Sequence, residues 1–217
     1  VAPDYVLVDE DIREHFVNEL VTQIRTLFTE HGESFETSKH YCRIINEKHF
    51  VRLNELLKDS LINGAKIEFS GKLNQSSRFF HPTILTQVSL TSRIMEEEIF
   101  GPILPIISFR NIDEAISIVN ARPKPLALYI FSGERKIQRR VLRETSAGGA
   151  CINDCGIHFM HHNLPFGGVN NSGIGKSHGH FGFLAFSNEK AVVKQRNGLT
   201  SIKVFYPPYT KKKKKIM

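Results

Sequence analysis

The chain has 217 residues, of which 41% are hydrophobic and 24% charged, a composition typical of a globular protein that buries a core of its own. No apolar run approaches the roughly 20 residues that span a bilayer, and the first residues lack the basic start of a secretory signal, so we expect neither feature. The formal net charge is +7, but five lysines form one run at 211–215, and without them it falls to +2. A nearly neutral body does not indicate nucleic-acid binding. Three cysteines, an odd and sparse count, are typical of a reducing compartment and favour a cytoplasmic protein.

The first part of the chain alternates between strand and helix signals. In order, they predict a strand at 5–8, a helix at 12–28 that Asp9 or Asp11 caps and Gly32 ends, a helix at 50–61 that stops at Gly64, and a strand at 66–69.

The second part continues the alternation. Strands are predicted at 83–88, 103–109, 126–131, 149–152 and 191–193, with a helix that Asp113 caps and that runs through Val119, and a basic amphipathic helix at 134–145. The segment at 103–109 is nearly all apolar, which favours a sheet covered on both faces. The chain is therefore predicted to be α/β, with an open, mainly parallel sheet and flanking helices.

A long irregular stretch, His158 to Gly179, is rich in Gly, Asn and His, and loops of this length are usually functional. Its segment Gly173-Ile174-Gly175-Lys176-Ser177 resembles the end of a phosphate-binding loop. Asn170 stands where that loop needs its first glycine, however, and the preceding residues 162–165 do not form a strand pattern. A nucleotide-triphosphate site is therefore disfavoured.

Two further clusters have competing interpretations. The first contains cysteines and histidines whose spacing is loose for structural zinc: Cys151, Cys155, His158, His161 and His162. Cys151 lies in an apolar strand, where a cysteine is more often a small hydrophobe, and we expect no metal. The second cluster, 96–98, is acidic and precedes a Gly-Pro turn. From the residues alone, it is a solvated charge run before a strand.

Longer motifs resemble one family, the class 3 (fatty or aromatic) aldehyde dehydrogenases. They are Glu97-Glu98-Ile99-Phe100-Gly101-Pro102, Pro165-Phe166-Gly167-Gly168 with Ser172-Gly173-x-Gly175, Lys124 to Ser132, Glu144 to Gly149, Ile152-Asn153-Asp154, and His178-Gly179. The resemblance runs from residue 1 to about Pro208. It departs from the family at Asn170-Asn171, where Gly-Asn or Gly-Ser is usual, and at Ser177, where tyrosine is usual.

The resemblance implies roles for particular residues. Glu98 would bind the hydroxyls of the nicotinamide ribose of NAD or NADP, since a carboxylate accepts two hydrogen bonds from a vicinal diol. Phe100 would pack against the nicotinamide. Phe166 would line the aldehyde pocket, with Asn153, His158 and His178 as further pocket residues. The glycines would supply a tight backbone path rather than phosphate contacts.

The implied reaction oxidises aliphatic or aromatic aldehydes to carboxylic acids with NAD(P), through a cysteine thioester. In the family, the nucleophilic cysteine directly precedes the position of Val1, and the general base also lies upstream. We therefore expect no catalytic residue in this chain and no activity from it alone. The alternative is a non-catalytic module that assembles with full-length dehydrogenase subunits or another partner.

The resemblance also divides the chain. Residues 1–188 would be part of the catalytic domain, 189–208 a C-terminal oligomerisation strand and extension, and 209–217 a basic, disordered tail. The full-length protein would be a homodimer that binds an aldehyde and no nucleic acid. Lys211 to Lys215 would make at most a weak peripheral membrane contact, at about 1 kcal/mol for each lysine.

Overall fold

The computed structural model describes residues 2–29, 33–195, 197–198, 202 and 205–215. The strands are β1 (Val6–Asp9), β2 (Lys66–Phe69), β3 (Thr83–Thr86), β4 (Ile103–Phe109), β5 (Ala127–Ile130) and β6 (Gly149–Ile152). The α-helices are α1 (Arg13–Phe28), α2 (Glu47–Ile62), α3 (Ile112–Asn120), α4 (Arg135–Glu144), α5 (Ile157–Met160), α6 (Gly179–Ala185) and α7 (Lys211–Lys214). The α/β class is confirmed.

The larger sheet has four strands in the order β1-β4-β3-β2. β4 is central and pairs in parallel with β1, where Val6 lies opposite Ile106, and with β3, where Thr83 lies opposite Ile103. β2 closes one edge and is antiparallel to β3. The prediction of a mainly parallel sheet is therefore confirmed, with one antiparallel edge strand.

Helices cover both faces of this sheet. Successive residues of a strand point to opposite faces. Accordingly, Leu85 and Ile107 pack in a cluster with buried side chains of α2, and Ile84 and Ile106 pack in a second cluster with Val17 of α1. Each buried large apolar side chain contributes about 1.5–3 kcal/mol relative to exposure. Burial on both faces explains why the sequence of β4 is almost uniformly apolar.

A second, two-stranded parallel sheet is formed by β5 and β6, with Ala127 opposite Gly149. Ile130 of β5 packs with Ile116 of α3 and Val141 of α4 in a third buried cluster. The two strands end side by side, and residues that follow β6 therefore lie at the carboxyl edge of this sheet.

The predicted N-caps of α3 and α1 are wrong. Asn111, not Asp113, caps α3, because the Asn111 Oδ1 atom accepts a hydrogen bond from the backbone N–H of Glu114 at 3.0 Å. Asp113 lies inside the helix. Neither Asp9 nor Asp11 caps α1, because Asp9 caps a preceding 3-10 turn and the N-cap of α1 is Ile12. α1 ends at Phe28 as predicted, and the predicted stop, Gly32, lies outside the described residues.

The C-terminal region also differs. The residues predicted as a strand, 191–193, form no regular secondary structure, because no strand edge of the described chain pairs with them. Lys211–Lys214 form one helical turn, and the Thr210 side chain accepts from the Lys213 N–H at 3.4 Å. The disorder of the tail at 209–217 stays a prediction. Among the described helices, none is both long and apolar enough to cross a membrane.

Candidate functional site

The segment before β4 turns successive side chains in opposite directions. Ile99 is buried, at 2% exposure, whereas Phe100 is 75% exposed and Glu98 is also exposed. Phe100 has a φ of 46°, a left-handed conformation that is rare for a bulky residue. Such a conformation persists only where neighbouring contacts enforce it. The segment is therefore built to present an aromatic ring and a carboxylate together at the surface.

Arg52 of α2 makes some of the contacts that hold this segment in its conformation. Its Nη1 atom donates to the Glu97 carboxylate and to the Glu98 carbonyl oxygen, each at 3.2 Å, and its Nη2 atom donates to the Ile99 carbonyl oxygen at 2.5 Å. A guanidinium group presents donors in a rigid fork, so one side chain fixes three points of the segment. The Glu98 carboxylate is not used by these contacts.

Asp4 holds the same segment from the other side. Its Oδ1 atom accepts a hydrogen bond from the Ile99 N–H at 2.9 Å. Burial raises the pKa of the Asp4 carboxyl, while the Ile99 hydrogen bond and the charge of Arg52 oppose that rise. The adjoining Gly101 lies so close to α2 that an added Cβ would collide with the Leu53 side chain. These contacts pin the segment against the core.

Phe166 lies at the centre of a second group. It forms an antiparallel bridge with Ser177, with N–H to O distances of 3.1 and 2.7 Å. Its ring centroid lies 5.8 Å from that of His158 and 5.5 Å from that of His178. Phe159 is a further aromatic neighbour, at 6.1 Å. The structure thus brings together three of the four predicted pocket residues.

The two histidines flank the Phe166 ring with buried nitrogen atoms. The Nε2 atom of His158 and the Nδ1 atom of His178 have no hydrogen-bond partner among the described residues. Burial lowers the pKa of His158, because an apolar environment disfavours the charged ring. The surroundings of the Phe166 ring are therefore mainly aromatic, with two buried and unpaired ring nitrogen atoms beside it.

Asn153, the fourth predicted pocket residue, directly follows β6. Its N–H donates to the Ile130 carbonyl oxygen at 2.8 Å, and its side-chain oxygen accepts from the Ser132 N–H at 2.9 Å. With a φ of 58°, it adopts a left-handed turn that asparagine tolerates. Asn153 thus joins the ends of the two strands.

The glycines around Phe166 allow close backbone contacts. An added Cβ at Gly148 would collide with the Gly167 carbonyl oxygen, and one at Gly168 would collide with that of Ser172. This geometry agrees with the predicted tight backbone path. Among the described residues, no group of three or more His, Cys, Asp and Glu side chains could hold a metal ion.

One cleft lies away from both groups. It has a volume of about 490 Å³ and is lined by residues of α1, β2 and the adjoining loops, among them Arg25, Phe35, Phe69 and His81. None of the predicted site residues lines it. The groups around Glu98 and around Phe166 have exposed or unpaired functional atoms, which are a better sign of binding than volume alone.

The chain matches the family of aldehyde dehydrogenases over residues 1–192. The chain belongs to the aldehyde dehydrogenase family. Aldehyde dehydrogenase family 3 member A2 of Mus musculus is 44% identical over 98% of this chain and 43% of its own length. A dimeric NADP-preferring aldehyde dehydrogenase of Rattus norvegicus is 42% identical over 96% of this chain and 44% of its own. The class 3 resemblance is thereby confirmed.

Solved aldehyde dehydrogenases share the fold. The substrate-bound state of Staphylococcus aureus AldH matches with a TM-score of 0.85 and 42% identity, over 100% of this chain and 46% of that one. Betaine aldehyde dehydrogenase of Staphylococcus aureus in complex with NAD+ matches with a TM-score of 0.73 and 26% identity, over 84% and 37%. Aldehyde dehydrogenases use NAD or NADP. The chain spans less than half the length of the curated relatives it matches.

Sequence reasoning missed the residues that position the site. Arg52 and Asp4 contact the 97–99 segment from 45 or more positions away in the sequence, and Lys176 contacts Gly148 from 28 positions away. The only local signal was the Gly-Lys-Ser sequence at Lys176, which points to a phosphate loop instead.

Proposed function

We propose that the whole protein containing this chain oxidises aldehydes to carboxylic acids with NAD or NADP. The observation that supports the proposal is the segment at 97–100, which buries Ile99 and leaves Glu98 and Phe100 exposed next to each other. Membership of the aldehyde dehydrogenase family supports it.

The cofactor fits these two residues. The exposed Glu98 carboxylate can accept hydrogen bonds from both hydroxyls of a ribose, and the exposed face of Phe100 can pack against a nicotinamide ring. When bound, NAD or NADP accepts a hydride. Glu98 and Phe100 would orient the ribose and the ring, while Arg52 keeps both residues in place.

The aldehyde pocket is assigned to Phe166, His158, His178 and Asn153. The aromatic cluster around Phe166 suits medium or long aliphatic aldehydes or aromatic ones. The nucleophilic cysteine that forms the thioester, and the general base that activates water to hydrolyse it, are assigned to residues that precede Val1. All three cysteines of this chain are free thiols, and none of them is assigned as the nucleophile.

The test compares the whole protein with the chain alone. NADH or NADPH formation is followed with fatty and aromatic aldehydes, with each cofactor in turn. The whole protein is expected to turn over and the 217-residue chain to be inactive. Absence of turnover by the whole protein with every aldehyde and both cofactors would refute the proposal.

The finer assignments are a homodimer, a cytoplasmic location and weak contact with anionic membranes. Exposed apolar side chains near the C-terminus, such as Phe186 at 95% and Val193 at 91%, favour a protein partner. Light scattering of the whole protein tests the dimer. Sedimentation with anionic liposomes, with and without residues 211–217, tests the membrane contact, and equal binding by both forms would exclude it.

A further inference from the structure

The Gly-Lys-Ser sequence at 175–177 has no part in the proposed cofactor or aldehyde contacts. Its lysine, Lys176, is half-buried, and its Nζ atom lies 2.9 Å from the Gly148 carbonyl oxygen, 2.7 Å from that of Gly167 and 3.3 Å from that of Gly168. An ammonium group has three N–H donors and no acceptor, so a single lysine can satisfy all three carbonyls.

The three carbonyls belong to two segments of chain. Gly148 directly precedes β6, whereas Gly167 and Gly168 directly follow Phe166. Lys176 therefore ties the loop that carries Phe166 to the start of β6. Ser177, the next residue, pairs with Phe166 in both directions. Phe166 is thus held through its own backbone and through the two peptide groups that follow it.

A cation is the group that this arrangement requires. Three carbonyl oxygens directed at one point repel each other, and a positive charge between them removes that repulsion. Hydrogen bonds in which the donor is charged are also stronger than neutral ones. The glycines permit the convergence, since an added Cβ at Gly148 would collide with the Gly167 carbonyl oxygen.

We propose that Lys176 is a positioning residue, an internal cation that fixes Phe166 at the wall of the aldehyde pocket. The part that concerns the aldehyde rests on the proposed function. The lysine that a phosphate loop would direct at a nucleotide is here engaged by the protein's own backbone. Aldehyde binding should depend on Lys176, and cofactor binding should not.

The kinetic test uses the K176A variant of the whole protein. We expect kcat/KM for the aldehyde to fall about tenfold, the loss of one or more charged hydrogen bonds, while KM for the cofactor stays unchanged. Propylammonium restores the atoms from Cγ to Nζ that the variant lacks and should restore most of the activity. Tetramethylammonium has the same charge and no N–H donor, and should not. K58A, at an exposed lysine of α2, is the matched control.

A second readout does not depend on activity. Hydrogen exchange at the amides of Phe166 and Ser177 should be about tenfold faster in K176A, and propylammonium should slow it again. Where K176A does not fold, K176M keeps the side-chain length without the donors and should show the same change in exchange.

Three results would contradict the positioning role of Lys176, and a different result would refute the proposed function. Unchanged exchange at both amides would overturn the positioning role, as would equal rescue by both ammonium ions or an equal rise in KM for cofactor and aldehyde. A wild-type protein without dehydrogenase activity would refute the proposed function, and the exchange result would still decide whether Lys176 fixes Phe166.

Discussion

The Nδ1 atom of His158 lies 3.4 Å from the Sγ atom of Cys151, and both side chains are buried. Burial favours the neutral form of the imidazole, so this contact satisfies the Nδ1 atom without a charge on the ring, while the Nε2 atom has no partner among the described residues. Gly149 makes room for it, since an added Cβ there would lie 2.9 Å from the His158 Cδ2 atom. The pair joins β6 to α5, the short helix that precedes Phe166 in the chain.

This burial predicts that stability depends on pH through His158. Its pKa in the folded chain lies below the ordinary value of 6.5, so the unfolded chain binds the proton more readily. The contribution of the uncharged His158 ring to the free energy of unfolding is complete above pH 6.5. It is lost as the pH falls through the lowered pKa of the folded chain. The H158Q variant lacks this titration. Its free energy of unfolding, measured with urea between about pH 5 and pH 7.5, should therefore decline less on acidification than that of the wild type.

The matched control is H15Q, which changes an exposed histidine of α1. The free energy of unfolding of H15Q should decline on acidification as much as that of the wild type. If H158Q and H15Q have the same pH dependence, His158 does not remain uncharged in the folded protein.

Arg52 should govern cofactor binding from a distance. R52M removes the hydrogen bonds to Glu97, to the Glu98 carbonyl oxygen and to the Ile99 carbonyl oxygen, and thereby frees the segment. Each hydrogen bond to a charged group is worth about 1.5–3 kcal/mol, so KM for the cofactor in the whole protein should rise at least about tenfold. Initial rates at varied cofactor concentration measure it. R139M, at an exposed arginine of α4, is the control, and an equal rise there would contradict the assigned role.

Glu98 should affect the cofactor without affecting stability. E98Q keeps the shape of the side chain but replaces the doubly accepting carboxylate, so KM for the cofactor should rise about tenfold. The unfolding midpoint should not change, because the side chain is exposed. E96Q alters an exposed glutamate of the same acidic run and should change neither quantity. Similar kinetics for the two variants would show that Glu98 does not contact the ribose.

The limits of three strands could be predicted from the sequence to the residue. β4, β6 and β2 begin and end where they were predicted to. β4 is largely buried and has an apolar sequence, whereas β2 is exposed at three of its four residues, so its end is marked by the Gly71 turn and not by burial. The cap of α3 was wrong because Asn111 and Asp113 are both good capping residues, and only the backbone geometry selects between them.

The site could be predicted only in part. Family motifs located Phe166, His158 and His178, and the structure shows that they are neighbours. The contacts of Arg52 and Lys176 could not be predicted, because they join segments that meet only after the chain has folded. The strand at 191–193 was predicted from its β-branched residues, but a strand also needs a neighbouring edge, which no sequence pattern supplies.

A substitution at Gly168 most directly tests how closely the backbone is packed in the Gly-rich loop that follows Phe166. An added Cβ there would collide with the backbone carbonyl of Ser172, and backbone atoms in this tight turn cannot move aside without breaking the Val169 N–H to Ser172 Oγ hydrogen bond of 2.9 Å. G168A should therefore lower the free energy of unfolding by about 2–4 kcal/mol. G133A is the matched control, because an added Cβ at Gly133 meets nothing within 4 Å. Urea unfolding of both variants measures the difference, and a G168A midpoint as high as that of G133A would mean that the loop is not packed as closely as the structure shows.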